Sequence, residues 1–335
     1  MKVTGYAVKA QGKPLEPFDY DAPPVGASDV LVKISHCGIC HTDLHFVDNE
    51  FGMTTYPFVP GHEIVGVVAA KGAAVRDLKE GQRVGIGFSR GSCGHCEWCS
   101  RGDENMCPDA MQYMTFVPYG GFSTAIVADS RLTFALPDVI DSEHAGPLMC
   151  GGVTVYSPFR TRGIRPTMKV GVVGVGGLGH MALQFARAWG CEVTAFSSTP
   201  AKEKEARMLG AHHFVSSADE AALDKAAGTL DFIISTSPRA MPWKKLMNAL
   251  RKRGTLCLVG LTMGDVAVDF LPMLLNETSL TASDIGGRAT MIEMLEFAAR
   301  NKIHPIVEVA PLSQVNQAIA RLKEGAVRYR VVLKT

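Results

Sequence analysis

Residues 170–180 read Val-Gly-Val-Val-Gly-Val-Gly-Gly-Leu-Gly-His, VGVVGVGGLGH. Gly174, Gly176 and Gly179 stand in G-x-G-x-x-G order, after the apolar run MKVGVVG and at the head of the helix-like HMALQFARAWG. By itself the triplet is a weak signal; between a strand and a helix it is a strong one. The first glycine permits a tight turn, the second lets backbone approach a pyrophosphate, and the third lets the helix pack on the strand. The helix N-terminus then faces the phosphates. Gly174, Gly176, Gly177, Leu178 and Gly179 are the expected cradle.

Working outward, the chain alternates. CEVTAFS, HHFVSS, LDFIIST, GTLCLVG and SLTASDI read as strands, with PAKEKEARMLG and MPWKKLMNALRKRG between them as helices. Such β-α-β alternation predicts a Rossmann-type doubly wound parallel sheet, here over residues 151–287. The second strand ends Ser197-Ser198-Thr199 where NAD-binding versions of the unit usually carry an acid. Small hydroxyls followed by Lys202 leave room and positive charge for a 2′-phosphate, so NADP(H) is expected rather than NAD(H).

Residues 1–150 have a different texture: GYAVKA, DVLVKIS, EIVGVVAA, QRVGIGF and FSTAIVA are short strands broken by Gly and Pro, an irregular antiparallel β body. After residue 288 the helix-like ATMIEMLEFAARNK, a short helix and RYRVVLKT return to a mixed pattern. With 335 residues, 47% hydrophobic and 20% charged, the chain has the composition of a soluble two-domain protein. A net charge of +1 gives no electrostatic footprint for nucleic acid or an anionic membrane. The start, MKVTGYAVKAQG, lacks the apolar core of a signal peptide, and nine cysteines without an export signal suggest a reducing, cytoplasmic setting.

Clustered thiols in such a setting are more often metal ligands than disulfides. Cys93, Cys96, Cys99 and Cys107 can wrap one tetrahedral ion and leave no position open, as in a structural zinc site; an iron–sulfur cluster uses the same ligands. The stretch CGICHTDLH, Cys37 to His45, is ambiguous: a redox pair, half of a structural site, or part of a catalytic one. A catalytic zinc takes three protein ligands and one exchangeable position. Cys40, His62 and Cys150 are available, but spacing alone does not pair residues so far apart.

CGICHTDLH, GMTTYPFVPGHEIVG, the four-cysteine lobe, PLMCGGVTVYSP, VGVVGVGGLGHMA, DIGG and VRYRVV together resemble the zinc-dependent medium-chain alcohol dehydrogenases. The likeness is to the cinnamyl alcohol dehydrogenase branch with its broad-range bacterial aldehyde reductases. It covers nearly the whole chain and implies a GroES-like β catalytic domain (1–150 and 288–335) around an inserted Rossmann domain. It implies that Cys40, His62 and Cys150 hold a catalytic zinc, with Glu63 able to coordinate in turn, and that Cys37 is no ligand. It favours zinc over iron–sulfur at Cys93, Cys96, Cys99 and Cys107. Asp43 matches an acid that orients His62, Thr42 and His45 match a proton relay, and His41 matches a residue near the pyrophosphate. Ser197, Ser198, Thr199 and Lys202 match the branch's 2′-phosphate pocket.

The implied activity is hydride transfer between NADP(H) and a primary alcohol or aldehyde, aromatic or medium-chain, in a homodimer joined near the apolar stretch Val266–Leu275. The segment CPDAMQYMTFVPYGG is shorter than the branch usually has, which loosens the inference to cinnamyl-type substrates. Met53, Phe88, Tyr113 and Phe116 could line an apolar pocket or serve as packing. Three competing readings are a zinc-free quinone reductase, a zinc-ribbon binding module, and a catalytically inactive cofactor-binding protein. The Cys40, His62 and Cys150 set opposes the first, the glycine turn the second, and the intact relay residues the third.

Overall fold

The computed structural model describes residues 1–262 and 264–335. They form two compact units, Met1–Cys150 with Gly286–Thr335, and Gly151–Ile285. In chain order the strands are β1 (Lys2–Val8), β2 (Leu15–Asp21), β3 (Asp29–Ile39), β4 (Glu63–Lys71), β5 (Arg83–Ile86), β6 (Ala125–Asp129) and β7 (Thr133–Ala135). In the second unit follow β8 (Lys169–Val173), β9 (Glu192–Ser197), β10 (His213–Ser216), β11 (Leu230–Ser235), β12 (Leu250–Leu258) and β13 (Ser279–Ala282). The chain then closes the first unit with β14 (Val307–Pro311) and β15 (Arg330–Lys334).

In the first unit a sheet runs β14-β15-β3-β4-β5-β7, with β6 also on β3 and the β1–β2 hairpin beside it. Pairing is antiparallel as expected, except that β14 and β15 are parallel. Val30, Val32, Ile64, Val68, Val84, Ile86 and Phe122 fill the core, each contributing about 1.5–3 kcal/mol by burial. Register explains the site: Gly38 faces Glu63 and Ile39 faces Val331. The C-terminal end of β3 therefore lies beside the N-terminal ends of β4 and β15. Cys40, His62 and Arg330, at or just beyond those ends, converge although they are distant in sequence.

The second unit is the doubly wound sheet expected, parallel throughout in the order β10-β9-β8-β11-β12-β13. Strand order reverses between β8 and β11, the position where such sheets bind ligands beyond their carboxyl ends. The glycine turn follows β8.

One expectation needs correction. MPWKKLMNALRKRG is not one helix: the helix is Trp243–Asn248, and β12 begins at Leu250. Leu250 pairs with Leu230, the register shifts before Thr255 pairs with Phe232, and Arg253 sits at φ 64° within the irregularity. Parallel pairing there overrides helix propensity. Within Val266–Leu275, Val266 and Val268 pack on the core, but the helix Phe270–Asn276 leaves Phe270, Leu271, Leu274 and Leu275 58–75% exposed. No helix among the described residues is long and apolar enough to cross a membrane.

Candidate active site

Cys40 ends the extended chain of β3 and begins the helix His41–Val47. The Asp43 carboxylate turns back to accept the Cys40 N–H at 2.8 Å, which satisfies a backbone donor at the start of that helix. Asp43 also accepts the Gly61 N–H and the Nδ1–H of His62, both at 2.9 Å. One buried carboxylate thus fastens the Cys40 and His62 segments and leaves Nε2 as the outward nitrogen of His62. Cys150 arrives in the wide helical turn Leu148–Gly152, the kind of local widening common at functional sites.

The donor atoms of Cys40, His62, Glu63 and Cys150 lie within 4.8 Å of one another, and all four residues are buried. The Sγ atoms of Cys40 and Cys150 are 3.9 Å apart; a tetrahedron of sulfurs about 2.3 Å from zinc has an edge of about 3.8 Å. His62 Nε2 is 3.2 Å from Cys150 Sγ. Cys150 holds the Cys40 thiol well below the usual range, while Cys40 and burial push Cys150 well above it. Burial also pushes the Glu63 carboxyl up to about 7, although the Arg330 guanidinium opposes the rise. Glu63 and the sulfurs of Cys40 and Cys150 lie around the buried Arg330, and a divalent cation bound among them would favour the charged form of each. Glu63 Oε1 pairs with Arg330, whereas its buried Oε2 has no partner among the described residues. Two thiols, an imidazole and an unsatisfied carboxylate oxygen make a donor set that fits zinc.

Thr42 Oγ1 lies 3.6 Å from Cys40 Sγ. His45, one turn along the same helix face, is partly exposed and places Nδ1 2.7 Å from Glu50 Oε2. His41, at the helix start, is exposed. Cys37 is buried in β3 outside the donor cluster, its Sγ 3.6 Å from Gly38 O.

Cys93, Cys96, Cys99 and Cys107 form a second donor cluster, with 3.8 Å between the Sγ atoms of Cys93 and Cys99. Their four sulfurs fit a closed tetrahedral ion. Backbone N–H groups of His95 and Cys96 hold the Cys93 thiol down at about 6. The His95 ring instead meets the Cys93 carbonyl at 2.8 Å. Buried Glu104 accepts the Arg288 N–H at 2.9 Å and ties this lobe to the helix Arg288–Asn301.

In the second unit each glycine of the turn has a separate reason. Gly174 has φ 91°, and a Cβ on Gly179 would stand 1.8 Å from Gly174 O. Gly176 has neither constraint: a Cβ there would meet no protein atom within 4 Å. A glycine that the protein's own packing does not require, opening on free space beside a helix N-terminus, fits close approach by a phosphate. Gly177 and Leu178 complete the turn, and the helix begins at Gly179. Ser197 is buried, with Oγ accepting the Thr199 N–H at 3.2 Å; Ser198 and Thr199 are exposed, and Lys202 is half-buried.

Residues 26–138 match the alcohol dehydrogenase GroES-like domain, and residues 177–300 match the zinc-binding dehydrogenase family. The aldehyde reductase AdhA of Synechocystis is 44% identical over 98% of this chain and 97% of its own length. The chain belongs to the zinc-binding medium-chain alcohol dehydrogenases, in their cinnamyl alcohol dehydrogenase-like branch. Among solved structures, a cinnamyl alcohol dehydrogenase of Sorghum bicolor superposes with a TM-score of 0.94 at 38% identity, covering 100% of this chain and 98% of that one. CAD of Helicobacter pylori, solved complexed with NADP(H), gives 0.90 at 31%, covering 99% and 98%.

Two residues at this alcohol dehydrogenase's metal cluster, Arg330 and Gly38, escaped sequence reasoning. Arg330 is a buried cation at the head of β15, ahead of Val331, Val332 and Leu333, and a charge opening that apolar run was its signal. Gly38 is required because a Cβ would fall 2.0 Å from Glu63 Oε2; its only signal was its place between Cys37 and Cys40. Phe88 and Phe116 stand edge-on to the His62 ring, at 5.6 Å and 5.2 Å. Phe116 is 2% exposed and serves as packing, whereas Phe88 is half-buried. Met53 is 50% exposed, and Tyr113 covers Gly91.

Proposed function

We propose that the chain is an NADP(H)-dependent zinc alcohol dehydrogenase that interconverts aldehydes and primary alcohols with aromatic or medium-chain apolar substituents. The supporting observation is the buried convergence of Cys40, His62, Glu63 and Cys150. In this reading Cys40, His62 and Cys150 hold the catalytic zinc, Glu63 is an alternative ligand, and Cys93, Cys96, Cys99 and Cys107 hold a structural zinc. Zinc supplies Lewis acidity toward the substrate oxygen, and the nicotinamide donates or accepts the hydride.

The chain's own residues supply position and proton transfer. Asp43 fixes the tautomer and orientation of His62. As hydride adds to the carbonyl carbon, the oxygen needs one proton; Thr42 passes it through its hydroxyl and His45 connects Thr42 to solvent, with Glu50 beyond it. The glycine turn holds the pyrophosphate, while Ser197, Ser198, Thr199 and Lys202 receive the 2′-phosphate; for His41 a role toward the pyrophosphate rests on the family likeness alone. That preference is supported by the missing acid at the end of β9 and by the relative complexed with NADP(H). Phe88 offers an apolar edge beside His62, which suits apolar substituents over polyols.

The first unit then serves as catalytic domain and the second as coenzyme-binding domain. The exposed face of Phe270, Leu271, Leu274 and Leu275 next to edge strand β13 supports a homodimer. The deciding experiment follows NADPH consumption with a panel of aldehydes, before and after a chelator, and repeats it with NADH. Zinc-dependent turnover of apolar aldehydes with NADPH is expected. Full activity after zinc is stripped would overturn the mechanism.

A further inference from the structure

Two side chains from outside the glycine turn grip its carbonyls. Lys202 Nζ donates to Val175 O at 2.6 Å. Opposite, the Thr236 hydroxyl donates to Val173 O at 2.9 Å, and its oxygen is 3.4 Å from Gly174 O. Thr236 is buried at the end of β11, and a Cβ on Gly174 would come within 2.9 Å of its hydroxyl. The carbonyls of residues 173 to 175 are therefore contacted by a threonine from one neighbouring strand end and a lysine from the segment after another.

The consequence follows from peptide geometry. A peptide unit is planar and trans, so its C=O and the next residue's N–H point in opposite directions. Fixing Val175 O with a charged donor therefore aims the Gly176 N–H the other way. Gly176 is the residue whose surroundings are open to a ligand.

We infer that Lys202 is a positioning residue for the pyrophosphate turn, beyond any contact with a 2′-phosphate. This rests on the coenzyme reading of the second unit given above. It differs in its outcome from a lysine that meets only the 2′-phosphate, which NADH lacks. If Lys202 orients the turn, both nucleotides depend on it.

The test is direct binding of NADPH, NADH and ADP-ribose to the full-length, zinc-loaded protein, comparing wild type with Lys202→Met, Thr236→Val and Ser198→Ala. Loss of one hydrogen bond from a charged donor should weaken NADH and ADP-ribose binding to Lys202→Met by about tenfold, and NADPH binding by more. Thr236→Val should weaken all three by one common factor of about threefold to tenfold. Ser198→Ala should weaken NADPH alone. Unchanged circular dichroism and zinc content keep a folding defect from imitating these losses. If Lys202→Met binds NADH and ADP-ribose like wild type but loses NADPH, the positioning role is wrong and the 2′-phosphate reading survives. If the wild type binds none of the three, the coenzyme reading itself fails.

Discussion

Asp43 and His62 form a wholly buried pair, with the His62 Nδ1–H donated to Asp43 Oδ1 at 2.9 Å. The same carboxylate accepts backbone N–H groups from Cys40 and Gly61, so it acts as acceptor in all three of these hydrogen bonds. Asp43→Asn keeps the shape but turns an NH2 toward one of these donors. Loss of an outer partner of a metal ligand typically costs 10–100-fold in affinity. Asp43→Asn should therefore lose the catalytic zinc that much more readily in a competition titration with a chromophoric chelator. The four-cysteine zinc should be unaffected. Wild-type affinity in the variant would remove Asp43 from the metal site.

Glu63 and Arg330 are a second buried pair, and their energetics can be separated. Arg330→Leu leaves a buried carboxylate unpaired, a change that costs about 3–5 kcal/mol. Replacing both partners, Glu63→Gln with Arg330→Leu, removes the stranded charge and should recover much of the loss. Urea unfolding of the two single variants and the double gives the coupling energy. Additive losses would mean that the pair does not act as a unit.

The sequence carried the second unit well, because its information is local: periodicity, glycine spacing and the end of each strand lie within a few residues. It failed at Leu250, where the need of β11 for a parallel neighbour outweighs the helical pattern of LMNALRKRG. The four-cysteine lobe was legible for the same local reason. The Cys40–His62–Cys150 convergence was not, since it arises from the register of β3 against β4 and from a turn far downstream; only family likeness supplied it. Arg330 reaches the cluster through the pairing of β15 with β3. No spacing rule links residue 330 to residue 63.

In the proposed relay His45 and Glu50 form the solvent end, their side chains 19% and 45% exposed. His45→Ala should lower kcat by about 10- to 100-fold, within the range that positioned acid–base groups supply. NADPH binding should stay at the wild-type level, and added imidazole should restore part of the rate. Weakened cofactor binding without imidazole rescue would show that His45 shapes the fold rather than moves the proton.

Ser197 stands where an acid would hold the ribose of NAD. Ser197→Asp retains an acceptor for the Thr199 N–H, adds a partner for a 2′-hydroxyl and repels a 2′-phosphate. The ratio of kcat/KM for NADPH over NADH should fall by at least about tenfold, the value of one charge-assisted contact. An unchanged ratio would mean that the 2′-phosphate lies elsewhere. Burying a carboxylate at a residue that is 7% exposed also carries a stability cost. The melting temperature must therefore be read beside the kinetics.

The two metal clusters should respond differently to loss of a single sulfur. Cys107 is buried in the lobe that Glu104 ties to Arg288, so Cys107→Ser opens a closed site whose binding energy is folding energy. One zinc per chain should be lost, with a melting temperature lower by several degrees. Cys150→Ser should lose the other zinc and nearly all turnover, with a smaller thermal shift, because the sheet that frames Cys40 and His62 is held by its own core. Zinc content by atomic emission, melting temperature and turnover, measured on both variants, give the comparison. If Cys107→Ser kept its thermal stability while Cys150→Ser kept its rate, the structural and catalytic roles assigned to the two clusters would both be wrong.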